Sequence, residues 1–214
     1  GAQMVADVEQ HELMKLRCLN GTHSALAYLG YLAGHETIAD AVAAPTFAAF
    51  CERLWYEEIL PTVAEPEGED LRAYCAALLA RYRNPAIRHL TWQIAMDGSQ
   101  KLPQRILGTL RDNLKSRCIP KGLCLVIAGW MRYVAGTDEA GQAIDVRDPM
   151  ADQLKMAASS ADPVTALLSI KVIFGSELAA DADLVATLQS AYQQLVDDGA
   201  AKTVMAYLQQ PTLT

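Results

Sequence analysis

Leu13-Met-Lys-Leu-Arg-Cys-Leu-Asn-Gly-Thr-His-Ser-Ala-Leu-Ala-Tyr-Leu-Gly-Tyr-Leu32 carries apolar residues three and four apart. Leu13, Leu16 and Leu19, then Ala25, Leu26, Leu29 and Leu32, lie on one face at helical pitch. The same spacing recurs through most of the 214 residues, and alternation of period two never persists. The fold class is therefore all-α, with about eight to ten helices by this pattern. Gly34, Pro61, the acidic loop 65–70, Asn84-Pro85, Asp97-Gly98, Pro120 and the stretch 136–149 supply the breaks, since these residues end helices or set turns. Asp162-Pro163 reads as an N-cap followed by proline at the first helical position, and Leu184 to Val196 as a helix stopped by Gly199.

A chain of this length buries a large core without needing a disulfide or a metal to hold it. Hydrophobic residues make up 51%, and the net charge is -7, which argues against a nucleic-acid partner. No apolar run is long enough to span a membrane. The five cysteines, Cys18, Cys51, Cys75, Cys118 and Cys124, are odd in number and sit mostly inside apolar helical patterns. They read as free thiols of a reducing, cytoplasmic compartment. His11-Glu12-Leu-Met-Lys15 imitates the start of a zinc-protease helix, but a protonated lysine offers no lone pair, so no metal is expected. No G-x-G-x-x-G turn occurs, so these residues are not expected to hold a dinucleotide pyrophosphate. His35 reads as part of a helix cap and His89 as a residue on a helix surface.

Lys15, Asn20 and His23 fall at roughly 0°, 140° and 80° around an ideal helix, so all three can border one cleft, more easily if Gly21 breaks the helix. A lysine can accept the proton of a hydroxyl under oxidation, an asparagine amide can donate to the alkoxide, and a histidine can hold a neighbouring hydroxyl. By spacing alone the same residues also read as a solvated face ending in a cap. In Asp97-Gly-Ser-Gln-Lys-Leu-Pro-Gln-Arg105, Ser99 reads as an N-cap, which leaves Lys101 exposed in the first turn against the helix dipole. Lys101 also reads as a surface lysine, and Arg105, one turn on, as a solvated arginine.

The K-x4-N-x2-H pattern of Lys15, Asn20 and His23, continued by Ser24-Ala-Leu-Ala-Tyr-Leu-Gly30, resembles the mannitol dehydrogenase family of polyol-specific long-chain dehydrogenases. Asp97-Gly-Ser-Gln-Lys-Leu-Pro103, Trp130-Met-Arg-Tyr133, Asp148-Pro-Met150 and Phe174-Gly175 extend the resemblance over most of the chain. It implies that residues 1–214 are a multi-helix C-terminal domain of the 6-phosphogluconate dehydrogenase C-terminal-like type. The domain's partner is then a Rossmann domain, absent from this sequence, that binds NAD. It also implies Lys15 as the general base of a zinc-independent hydride transfer, Asn20 in an oxyanion hole, and His23 and Lys101 in contact with substrate. Mannitol-active members carry an arginine where this chain has Gln93. The stretch 91–105 instead resembles the branch that interconverts D-fructuronate and D-mannonate, and Arg105 is the residue suited to fork a sugar-acid carboxylate. Mannitol, arabinitol and tagaturonate are the alternative specificities, and a stand-alone helical module without catalysis is the alternative function. An apolar surface around Lys15, Asn20 and Lys101 is expected, of the kind another domain covers.

Lacking a turn to cradle phosphate, the chain by itself is expected to show no useful affinity for NADH. Fluorescence titration of NADH against the 214-residue chain measures this, and micromolar binding would refute the expectation.

Overall fold

Pro120 and the apolar run after it set the centre of the molecule. A helix that is apolar on every side must be surrounded by protein. In the computed structural model, which describes residues 2–212 and the side chains from Val8 onward, that helix is α7, Lys121–Val134. Within it every residue from Gly122 on is buried except Arg132. Helix α1 (residues 2–32) crosses it where Gly129 leaves room: a Cβ there would lie 2.6 Å from Leu29 Cδ2. Helix α11 (Ala182–Asp198) packs along α7, and α3 (residues 45–59), α8 (Ala151–Ala158) and α9 (Pro163–Leu168) contact its other sides. The remaining helices are α2 (Ile38–Ala43), α4 (Leu71–Tyr82), α5 (Thr91–Ala95), α6 (residues 98–115), α10 (Lys171–Phe174) and α12 (Ala200–Leu208).

The fold is all-α; among the described residues the only extended pairings are the isolated bridges Thr37–Leu90 and Thr137–Ala143. Helix ends follow local chemistry. Thr37 and Asp40 form a reciprocal capping box, and the carboxylates of Asp70, Asp162 and Asp181 accept backbone N–H groups of the helices they precede. Gly34, at φ +85°, ends α1 by letting its own N–H reach Tyr31 O and the His35 N–H reach Gly30 O. The His35 ring packs edge-on against Phe47. Helices α2, α5 and α10 are too short for their period to show in the sequence.

All five cysteines are free, and all but Cys118 are buried. No helix is long and apolar enough to cross a membrane.

Burial of α7 leaves its first N–H groups without water, and Glu58 answers them from α3. Its carboxylate accepts from Gly122 N and Leu123 N, each at 2.7 Å, and from Tyr207 Oη at 2.9 Å. Burial pushes the Glu58 carboxyl above its ordinary value, while the three donors pull the other way. Glu58→Ala should cost about 2–4 kcal/mol, because it strands two buried N–H groups and a tyrosine hydroxyl. Urea unfolding measures the cost; Glu58→Gln, which keeps the shape but weakens the acceptors, should fall between.

Candidate active site

Helix α1 does not break at Gly21. The residue is helical, at φ −62° and ψ −53°, and the chain runs on to Leu32. The glycine instead serves close approach, since a Cβ there would lie 3.1 Å from the carbonyl oxygen of Arg105. Helices α1 and α6 thus meet backbone to backbone, and the candidate residues sit on both sides of that contact. Residues Lys15–Gly21 are wound as a π-helix, as are Leu26–Gly30 in the same helix and Pro103–Leu107 in α6. Closing each turn on the fifth residue turns Asn20 toward Lys15, which ideal α-helical winding would place well around the barrel.

On one side of the contact, Lys15 and Asn20 line an open depression of about 470 Å³ together with Glu9, Glu12, Leu13, Leu16 and Gln104. Lys15 is exposed, and no carboxylate among the described residues pairs with it. Val8, seven residues before Lys15 on the same face of α1, is 56% exposed. Leu13 and Leu16 add apolar wall beside Lys15 and Asn20, but neither Lys101 nor His23 lines this depression, so it is not the single cleft expected from the sequence.

On the other side, His23, Ser24, Lys101 and Arg105 come together. Arg105 Nη1 donates to Ser24 Oγ at 3.3 Å, and no carboxylate among the described residues pairs with its half-buried guanidinium. The His23 ring stacks on Tyr82, with centroids 4.7 Å apart, and meets His89 edge-on at 5.5 Å. Burial, and after it the positive charges of His89, Arg105 and Arg81, push His23 down to about 4, so the imidazole is neutral at physiological pH. Its Nε2 is buried and has no hydrogen-bond partner. Lys101 is also lowered, first by burial and then by Arg105, while Asp97 and Asp148 oppose the shift.

Several sequence expectations need correction. Ser99 is not an N-cap: it is buried inside the first turn of α6, and both its N–H and its Oγ donate to Asp148, at 2.7 and 2.6 Å. Lys101 is half-buried, with 27% of its side chain exposed, because the α6 terminus is covered by the loop carrying Asp148. His89 lies in the loop before α5, half-buried against His23, and not on a helix surface. Gln93 is exposed on α5, which packs beside residues 22–30 of α1. Among the described residues no three His, Cys, Asp or Glu side chains could hold a metal ion. A groove of about 310 Å³ lies far along the chain, between α7, α11 and α12. Its Thr203 and Tyr207 hydroxyls are spent on internal partners.

Residues 7–196 match the model of the mannitol dehydrogenase C-terminal domain. The chain belongs to the mannitol dehydrogenase family. It is 53% identical over 209 residues to D-mannonate oxidoreductase of Escherichia coli (strain K12), a match covering 96% of this chain and 43% of that protein. It is 37% identical over 213 residues to an Aspergillus fumigatus mannitol 2-dehydrogenase, covering 97% and 42%. Its fold superposes on Pseudomonas fluorescens mannitol 2-dehydrogenase, solved as a ternary complex with NAD and D-mannitol, with a TM-score of 0.91. That match has 30% identity and covers 94% of this chain and 41% of that one. The chain thus spans about two fifths of the length of these relatives.

For this member of the mannitol dehydrogenase family, the structure also places Gln104, Tyr82 and His89 beside the candidate residues. Gln104 faces Lys15 and Asn20, and its place three residues after Lys101 was the one available signal. Tyr82 and His89 flank His23 from distant parts of the chain, where no local pattern points to them.

The low His23 value has a stability consequence. Between about 4 and the unfolded value near 6.5, the unfolded chain binds the extra proton, so stability rises with pH across that window and is lost on acidification. Histidine NMR should show His23 titrating near 4, and a midpoint near 6.5 would contradict its burial among cations.

Proposed function

We propose that this chain is the substrate-holding, catalytic part of an NAD-dependent oxidoreductase that interconverts a ketose and a polyol or sugar acid. The best-fitting pair is D-fructuronate and D-mannonate. The observation that carries the sugar-acid reading is Arg105. A half-buried guanidinium hydrogen-bonded to Ser24 and unmatched by any described carboxylate is a site for an anion. The likeness to a D-mannonate oxidoreductase supports the same reading.

In oxidation Lys15, as the free amine, takes the proton of the reacting hydroxyl, and in reduction the ammonium returns it. The Asn20 amide donates to the alkoxide as charge develops on it. Neutral His23 offers its unpartnered Nε2 to a neighbouring hydroxyl. Lys101 and Arg105 hold the far end of the sugar acid, the ammonium as a point charge and the guanidinium as a fork. NAD, when bound, supplies the acceptor for the hydride. The described residues form no glycine-rich strand-to-helix turn for its pyrophosphate, so the nucleotide belongs to a Rossmann domain that would close over the Lys15 face. No metal is assigned a part.

Variants in the two-domain protein test these roles. Lys15→Ala should lower kcat by about 10² to 10⁴ while NADH affinity stays nearly unchanged. Arg105→Ala should cost about 1.5 to 3 kcal/mol in fructuronate reduction, roughly a ten- to hundredfold loss of kcat/KM, and leave neutral fructose almost untouched. Equal losses on both ketoses would make Arg105 structural and remove the carboxylate assignment. Gln93→Arg, which restores the mannitol-type residue, should shift the ratio of efficiencies toward neutral polyols.

A further inference from the structure

Asp97 stands where the backbone favours glycine. Its φ of 55° and ψ of 36° put it in the left-handed region, one of two non-glycine residues there among those described. Such a conformation is strained for a residue with a side chain, though Asp and Asn bear it better than most. The next residue is the glycine, and for a different reason. A Cβ at Gly98 would lie 2.8 Å from Tyr28 Oη and closer still to the Trp130 indole nitrogen.

The main chain of Asp97 does work that any residue could do. Its N–H donates to Arg147 O, and its carbonyl accepts from Gln100 N and Lys101 N. Its carboxylate does not cap α6, because Asp148 already takes the Ser99 N–H and hydroxyl and the Met150 N–H. What remains for the carboxylate is Lys101, whose Nζ lies 3.8 Å from Asp97 Oδ2 one helical turn on. Lys101 needs such a partner. It is half-buried, Arg105 pushes on it from the next turn, and the Asp148 carboxylate is committed elsewhere.

We propose that Asp97 is a positioning residue: its left-handed backbone aims a carboxylate at Lys101 and fixes that ammonium in place against the repulsion of Arg105. This rests on the reading of Lys101 as a substrate contact. The charged groups bearing on Lys101 are Asp97, Asp148 and Arg105.

The test labels the lysines by reductive methylation with ¹³C-formaldehyde, assigns Lys101 with Lys101→Arg, and follows its titration by NMR in the unaltered chain, Asp97→Asn and Asp97→Gly. Asn tolerates the backbone and lacks the charge, while Gly relieves the backbone as well. Both variants should lower the Lys101 midpoint by about half a unit, the scale of an ion pair in a partly solvated place. The melting temperature should hold in Asp97→Asn and hold or rise by about 1 to 3 °C in Asp97→Gly. In the two-domain enzyme, Asp97→Asn should raise KM several-fold with kcat nearly unchanged.

An unmoved midpoint in both variants overturns the proposal, and a fall in melting temperature with an unmoved midpoint assigns the carboxylate to the turn instead. A moved midpoint with unchanged KM removes the positioning role. The titration involves no substrate, so its outcome is separate from the fate of Lys101 as a substrate contact, which Lys101→Ala decides.

Discussion

A helix buried on every side cannot leave its first N–H groups to water, and the architecture turns on how α7 meets that constraint. Glu58 reaches it from α3 and takes two of those groups, while Tyr207 from α12 donates to the same carboxylate. Asn113 of α6 donates to the backbone carbonyl of Glu58. One buried acid residue therefore ties together four helices, α3, α6, α7 and α12. Gly122 is part of the arrangement, because a Cβ there would lie within 2.9 Å of Leu54, Tyr207 and Glu58 together. With α7 fixed, Gly129 lets α1 lie across it, and α1 carries most of the candidate site.

The site inherits its geometry from that placement. Arg17, only 8% exposed, runs from α1 to Thr62 O and to Asp112 of α6, and Gly21 brings the two backbones into contact a turn later. These ties hold Lys15 and Asn20 on one flank of the contact and His23 and Ser24 on the other. The π-helical winding on both helices falls at this crossing. An extra residue per turn is a local cost that tertiary packing must offset, and such bulges concentrate where side chains have to be re-aimed.

Much of this was legible in the sequence because it is local. The 3.6-residue period gave the helices, and the Asp162-Pro163 start and the Gly199 stop are where the reading put them. The winding of residues 15–21 was not legible, since a shift of hydrogen-bond partner by one residue leaves the apolar pattern nearly unchanged. Ser99 resembled an N-cap because Ser-x-x-x before an apolar run usually is one. The carboxylate that captures it stands 49 residues away. His89 looked like surface for the same reason: what buries it is His23, whose approach depends on the packing of α5 against α1. Lys15, Asn20, His23, Lys101 and Arg105 were singled out by residue type together with the family resemblance, since spacing alone left them open to a reading as solvated surface. Tyr82, Gln104 and Asp97 needed the fold.

The pattern of satisfied and unsatisfied polar groups separates structural from functional chemistry here. Where polarity is buried for the fold, it is matched. Thr22 donates to Cys18 O and meets Tyr82 Oη, Asn113 donates twice, and Ser99 finds Asp148. Among the described residues, three buried side-chain atoms are left over: Trp130 Nε1, Tyr133 Oη and His23 Nε2. The first two belong to α7, where Tyr28, Tyr31 and Phe174 pack against their rings. His23 differs in its neighbours: Arg105 has no carboxylate partner among the described residues, and Lys101 has Asp97 at 3.8 Å. In a chain of net charge -7, a half-buried guanidinium without a carboxylate partner among the described residues is a cost that folding alone does not explain. The sugar acid proposed above would answer both facts: its carboxylate would match the guanidinium, and a hydroxyl would complete His23. Keeping His23 neutral fits this, since a charged imidazole would be repelled by Arg105 and Arg81.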